Sequence, residues 1–139
     1  MTSPASIPYK YQQMLQSAGF ATLSTLSPDG SIQSTLVWPD YEDGLIRLSM
    51  PDYSAKLKNM RRQGRATLLA VDPENEDYYV SIRCELIDVT AEGAIEHLDM
   101  LTRRNMNLDH WYGDVVDADD ADQEHHVVVL LRPVRVYST

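Results

Sequence analysis

The chain lacks the features that mark several large classes of protein. It has one cysteine, Cys84, so no disulfide can form within the chain, and this usage fits the reducing cytoplasm. No apolar run approaches the roughly 20 residues that a membrane-spanning helix needs. The first residues, MTSPASIPYKY, have neither the basic start nor the apolar stretch of a secretion signal. We therefore expect a cytoplasmic protein with no membrane partner.

Basic residues are also scarce, and they are unevenly placed. Twelve Lys and Arg stand against 21 Asp and Glu, giving a net charge of −9, whereas a duplex-binding surface is normally basic. No nucleic-acid partner is expected. Residues 56–65, KLKNMRRQGR, nevertheless hold five of the cations and no acid. This positive island favours a local anion site over a nucleic-acid face, although spacing alone favours a solvated basic helix face.

The length and composition are those of one ordinary domain. With 139 residues, 43% of them apolar, the chain can build a sizeable core, and no linker or repeat divides it. We expect a single domain over residues 1–139.

Periodicity and turn residues predict a mainly β, α+β fold. The predicted strands cover residues 20–27, 31–38, 45–50, 65–72, 78–89 and 127–137. The predicted helices cover residues 8–18 and 52–63 and a stretch beginning at Thr90. Pro28-Asp29-Gly30 and residues 39–44 are predicted turns, and the acidic stretch 107–124 is a predicted solvated loop. The pattern predicts a six-stranded antiparallel barrel with inserted helices.

The predicted helix 52–63 carries the strongest chemical signal. Leu57 and Met60, three residues apart, define its inward face, Lys56 lies at the edge of that face, and Lys58 and Arg62 project outward. A lysine near a helix start can hold a phosphate, because the unpaired backbone N–H groups there also attract anions. Ser49 and Ser54 lie close to it in the sequence.

The remaining polar residues give no enzyme signature of their own. His97 lacks the second histidine of a zinc helix, neighbouring His125 and His126 point to opposite faces of a strand, and the acids of 114–124 lack calcium-loop spacing. No metal site is predicted, and Cys84 is expected to be a buried structural thiol. Without a nucleophile elbow or paired carboxylates, an enzyme of this sequence would borrow its chemistry from a cofactor.

Three stretches in order carry a family resemblance. They are ATLSTLSPDGSIQSTLVW, LSMPDYSAKLKNMRRQGRATLLAVD and YYVSIRCELIDV. Together they resemble the flavin and deazaflavin oxidoreductases of the pyridoxamine 5′-phosphate oxidase-like superfamily. The most specific part is A-K-x-x-N-x-R-R, formed by Ala55, Lys56, Asn59, Arg61 and Arg62. This version resembles the branch that uses coenzyme F420, a deazaflavin.

The resemblance implies an FMN-binding split β-barrel that forms a homodimer with cofactor sites along the subunit interface. By position, Lys56 would bind the cofactor phosphate, strand Ser34–Trp38 would line the ring system, and Asn59 would fix the local structure. Tyr78 and Tyr79 would reach toward the cleft, including that of the partner subunit. The implied cofactor-binding residues are Ser34, Thr35, Leu36, Val37, Trp38, Ser49, Met50, Ser54, Lys56 and Tyr79. No catalytic residue is assigned.

The implied reaction is hydride transfer from reduced F420 to a small or planar unsaturated substrate. Many relatives carry an arginine just before the lysine, where this chain has Ser54 and Ala55, and that departure counts against the compact phosphate clamp of FMN. An FMN-dependent oxidase or reductase stays open as an alternative. Two further alternatives stay open: a non-catalytic protein that binds a flavin, a haem or another tetrapyrrole, and a small dimeric barrel whose cofactor site has decayed.

Overall fold

Seven strands form one antiparallel sheet in the computed structural model, which describes residues 3–139. The strands are β1 (Ala21–Leu26), β2 (Ile32–Val37), β3 (Asp40–Glu42), β4 (Leu45–Pro51), β5 (Arg65–Val71), β6 (Tyr79–Thr90) and β7 (His126–Ser138). The helices are α1 (Tyr9–Leu15), α2 (Ala55–Gln63), α3 (Ala94–Met106) and α4 (Ala121–Glu124). The strand order across the sheet is β2-β1-β5-β6-β7-β4-β3.

The sheet curls around one apolar core, as the predicted α+β split barrel requires. Alternate residues of five strands meet there, among them Leu23, Ile46, Leu68, Ile82 and Val129. Helices α1 and α2 add side chains to the same core. The edge strands β2 and β3 pair only with β1 and β4 respectively, so the sheet stays open between them and the barrel is split.

The sheet has seven strands rather than the predicted six, because residues 39–44 are not simply a turn. Asp40 pairs with Arg47 and Glu42 with Leu45, which makes β3–β4 a hairpin. Its tight turn is Asp43-Gly44, with φ angles of 54° and 80°. Two successive residues at positive φ match the right-handed twist of the flanking strands, so this short hairpin is favoured.

The helix boundaries correct three further predictions. Helix α1 ends at Leu15 rather than residue 18, and α2 begins at Ala55 rather than residue 52. The predicted end of α2 is confirmed, because the helix ends at Gln63 and Gly64 caps it in the left-handed conformation at φ 72°. Thr90 is the last residue of β6, and α3 starts only at Ala94. The acidic stretch is not all loop, because it contains a turn of 3-10 helix at 118–120 followed by α4.

A buried carboxylate ties the β3–β4 hairpin to α3. Asp40 is 3% exposed and accepts hydrogen bonds from Arg47 Nε at 2.9 Å and from Arg104 Nη1 at 3.1 Å. His97 Nε2 of α3 lies 3.7 Å from the same carboxylate. Burial alone would raise the pKa of Asp40, but His97 and the two guanidiniums lower it far below its usual range. Asp40 is therefore ionised at neutral pH.

None of the helices in residues 3–139 combines the length and the apolar character needed to cross a membrane.

Candidate functional site

Helix α2 is fixed against the β1–β2 hairpin by a buried amide. Leu57 and Met60 are fully buried, as their spacing predicted. Asn59 is 4% exposed, and its Nδ2 donates to Thr25 Oγ1 at 3.1 Å and to Gln33 Oε1 at 3.3 Å. The structural role implied for Asn59 is confirmed.

Arg62 differs from its prediction. Although exposed, its guanidinium folds back onto the protein instead of projecting away from it. Its Nη2 donates to the Leu26 carbonyl oxygen and to Asn59 Oδ1, both at 2.8 Å. The residue therefore braces α2 against the end of β1, which removes one cation of the basic segment from the set available to a ligand.

The N-terminus of α2 carries two donors, Ser54 and Lys56, that have no partner within residues 3–139. Ser54 stands at the N-cap position, and its Oγ is buried without a hydrogen-bond partner. Lys56 is partly buried, makes no ion pair within residues 3–139, and has a pKa lowered by that burial. The first-turn N–H groups of a helix are also unpaired and carry partial positive charge. Together these groups attract an anion such as a phosphate.

Ser49 lies on β4 beside β7 and is already engaged. Its Oγ is 3.1 Å from Nδ1 of His126, and the backbone N–H of Asp52 donates to the His125 carbonyl at 3.1 Å. Burial lowers the pKa of His126, so the ring is neutral at physiological pH. The neighbouring Met50 is 1% exposed, so its side chain belongs to the core and is not available to a ligand.

Strand β2 lies at the open edge of the sheet and divides its side chains between two faces. Leu36 is 63% exposed on the outer face, whereas Val37 is 8% exposed and packs in the core. Ser34 Oγ is 3.1 Å from Ser24 Oγ on β1. Thr35 Oγ1 is buried and has no hydrogen-bond partner. A buried hydroxyl without a partner is costly in the free protein and is relieved by a polar ligand atom.

The stretch that follows α3 contacts Trp38 next to β2 and His126 next to Ser49. The sequence analysis did not predict these contacts. Trp38, just after β2, stacks on Phe20 at 6.1 Å and meets the edge of Trp111 at 5.9 Å. The next residue, Tyr112, meets His126 ring to ring at 5.8 Å. Trp111 Nε1 is buried without a hydrogen-bond partner, whereas burial and the Glu124 carboxylate raise the pKa of the Tyr112 hydroxyl. The only signal for this contact was the aromatic pair in an otherwise polar stretch.

Tyr79 stands apart from these groups. It is 40% exposed on β6, and its side chain makes no hydrogen bond or ring contact within the part of the chain that the structure describes. Tyr78 lies under Lys10, whose Nζ is 3.3 Å from the ring centroid. Within residues 3–139, neither tyrosine forms a hydrogen bond with Ser49 or Lys56.

Neither Cys84 nor the acidic side chains form a second candidate site, catalytic or metal-binding, within residues 3–139. Cys84 is 2% exposed, and burial raises its pKa to about 12, so it is the structural thiol that was expected. Over residues 3–139 no three His, Cys, Asp or Glu side chains are grouped closely enough to hold a metal ion.

A curled antiparallel sheet that stays open between its two edge strands, β2 and β3, defines the split β-barrel class. Within that class, the sequence pattern described as pyridoxamine 5′-phosphate oxidase matches residues 7–139. The chain belongs to the pyridoxamine 5′-phosphate oxidase family.

Solved structures share the fold at low sequence identity. An F420 reductase superposes with a TM-score of 0.78 at 20% identity, covering 94% of this chain and 98% of its own. A conserved hypothetical protein from Mycobacterium tuberculosis gives 0.67 at 23% identity, covering 99% and 87%. HupZ from Group A Streptococcus gives 0.64 at 12% identity, covering 95% and 94%. No curated protein sequence matches the chain.

Proposed function

We propose that this protein is an oxidoreductase that uses reduced coenzyme F420 for hydride transfer to a small or planar unsaturated substrate. The observation that carries the proposal is the N-terminus of α2. There Lys56 has no ion pair within residues 3–139 and the Ser54 hydroxyl is buried without a partner. The likeness to an F420 reductase supports the same cofactor class.

The residues present fit a phosphate-bearing cofactor. Lys56, Ser54 and the first-turn N–H groups of α2 would hold the phosphate, because a charge-assisted contact to ammonium is strengthened by the helix N-terminus. Strand Ser34–Trp38 would line the ring system, with Thr35 Oγ1 supplying a hydrogen bond to a polar ring atom. When bound, the deazaflavin supplies the hydride, and no side chain of this chain is needed as a nucleophile.

The aromatic residues around Trp38 would protect the reacting face. Phe20 and Trp111 contact Trp38 on two sides and form an apolar wall at the end of β2. Such a wall excludes water, which strengthens the polar contacts inside the site and limits side reactions of a reduced cofactor.

FMN is the second candidate cofactor, and membership of the family supports it. We prefer F420 to FMN because of the positive charges near the proposed phosphate site. Ser54 and Ala55 stand where many relatives have an arginine that clamps a compact phosphate. The cationic segment 56–65 instead suits the long anionic tail of F420.

Separate titrations with F420 and FMN test the proposal. The protein is purified without added cofactor, and the fluorescence of each ligand is followed. We expect saturable F420 binding in the micromolar range or tighter, with FMN binding at least tenfold weaker. The reverse order would move the protein to the FMN group. Binding of neither, with binding of haem, would identify a non-catalytic binder.

We propose further that two copies form a homodimer through the end of the outer sheet face that carries Leu36, Val71 and Tyr79, so that Tyr79 of one copy reaches the site of the other. That face leaves apolar side chains exposed, including Leu36 at 63% and Val71 at 41%. Contiguous exposed apolar surface is typical of an interaction site.

The cytoplasmic location stays a prediction from the single cysteine.

Light scattering on a matched pair of variants tests this interface. The wild type is expected to be a dimer, and Leu36→Lys is expected to be a monomer that binds F420 more weakly. Tyr9→Lys alters a similarly exposed residue, 71% accessible on α1, and should leave the dimer intact. A monomeric wild type with full F420 affinity would contradict the proposed interface.

A further inference from the structure

A groove on the outer face of the sheet lies away from the N-terminus of α2. Its volume is about 300 Å³. Its side chains come from β1, β2, β5 and β6, and include Ser24, Leu26, Ile32, Arg65, Thr67 and Arg83. Arg65 follows Gly64, which ends α2. Because a nine-residue helix is roughly 13 Å long, the groove begins about that far from Ser54.

Three arginines, Arg65, Arg83 and Arg135, crowd this face, and none of them forms an ion pair within residues 3–139. Arg83 on β6 pairs in register with Thr67 on one side and Arg135 on the other. Like charges directly opposite each other across two strands repel. Arg65 lies in register with Glu85, but Glu85 is hydrogen-bonded to Arg132 across the neighbouring strand.

The charge on the face is therefore uncompensated. Among the described residues 3–139, no ion pair involves Arg65, Arg83 or Arg135. This occurs in a chain whose net charge is −9. The Arg83 guanidinium is also held in place, with its carbon 5.5 Å from the ring centroid of Tyr137.

We propose that this groove binds a planar organic carboxylate. A guanidinium presents its N–H groups in a fork that matches a carboxylate, so Arg83 and Arg65 would hold the charged end. Leu26 and Ile32 supply apolar walls for the flat body of the ligand. A volume of about 300 Å³ is at the small end of ligand sites and suits one or two fused rings. The bound charge would also relieve the repulsion between the facing arginines.

Binding of 2-naphthoate, with 2-naphthamide as its neutral counterpart, tests the proposal. Calorimetry and ligand-observed NMR are carried out on the full chain without cofactor. We expect saturable binding of one 2-naphthoate per chain, at least tenfold tighter than the amide. Arg83→Gln and Arg65→Gln should each weaken it at least tenfold. Arg103→Gln, a matched arginine on α3, should change it less than twofold.

Two controls separate this groove from the cofactor site and from the subunit interface. Lys56→Ala should retain 2-naphthoate binding even where it loses F420. If 2-naphthoate binding is lost in Lys56→Ala and kept in Arg83→Gln, the ligand occupies the cofactor site and the proposal is wrong. Equal binding of acid and amide would also overturn it. A third result would also overturn it. If the wild type binds neither the acid nor the amide, and light scattering shows that the Arg83→Gln variant has dissociated, the arginines serve the subunit interface.

Discussion

Replacing Asp40 by Asn is expected to lower the free energy of unfolding by about 3 kcal/mol at pH 7, the lower end of what breaking a buried ion pair costs. The carboxylate is 3% exposed and bonded to Arg47 and Arg104. Asn keeps the shape but removes the charge, so two partly buried guanidiniums lose their common partner. Urea unfolding followed by circular dichroism measures the change as a shift of midpoint at constant slope.

Glu42→Gln is the matched control, because Glu42 pairs with the same Arg47 from the surface. Glu42 Oε2 lies 2.7 Å from Arg47 Nη2, but the Glu42 side chain is 56% exposed. Exposed ion pairs contribute about 0–1 kcal/mol. Equal losses in the two variants would show that burial of Asp40 is not what makes its charge important.

The pH dependence of Asp40→Asn follows from the sign of the pKa shift. The folded-state pKa of Asp40 lies below the ordinary value of 3.8. Its stabilising contribution is thus full above that value and is lost as the pH falls toward the folded pKa. The stability difference between wild type and variant should therefore shrink as the pH falls below 4. A difference that grows as the pH falls below 4 would contradict the assigned ion pair.

This ion-pair cluster also shows what the sequence alone could not reveal. The local sequence PDYEDG predicts a turn at Asp40 because it is rich in turn-forming residues, and a three-residue strand is too short to show a period. Its partner Arg104 is 64 residues away. The pairing arises only when α3 packs over the β3–β4 hairpin, so no local pattern predicts it.

Local patterns did predict the elements that build the phosphate end of the site. Leu57 and Met60 gave the buried face of α2, and Pro28-Asp29-Gly30 gave the β1–β2 hairpin, where the N–H of Gly30 donates to the Ser27 carbonyl at 3.0 Å. Both signals are short-range consequences of helix period and turn geometry.

The other parts of the site depend on long-range packing. Trp111 reaches Trp38 through a stretch without periodicity, so the contact is set by the path of that stretch rather than by a pattern. Arg83 meets Arg135 only in the particular register of β6 with β7, next to an irregularity at Cys84. A register slip of one residue would turn Arg83 to the other face of the sheet.

Replacing Lys56 by Ala is expected to weaken F420 binding by roughly 10- to 150-fold. The estimate corresponds to the loss of one charge-assisted hydrogen bond, about 1.5–3 kcal/mol. Lys56 is the partly buried cation at the start of α2, and its environment supplies no competing carboxylate among residues 3–139. Fluorescence titration of both proteins at fixed ionic strength measures the ratio of dissociation constants.

Lys58→Ala is the control that separates a specific contact from the general charge of the segment. Lys58 is exposed on the same helix, so its removal should change F420 affinity less than threefold. Equal losses in the two variants would mean that the cations act only through their summed field and that Lys56 does not touch the phosphate.

The two cases also differ in the pH dependence of F420 binding. Because burial lowers the pKa of Lys56, and only the protonated amine attracts an anion, wild-type affinity should fall as the pH rises through that pKa. The same alkaline decline should be absent in Lys56→Ala and retained in Lys58→Ala, which ties the loss of binding to one titrating group at the start of α2.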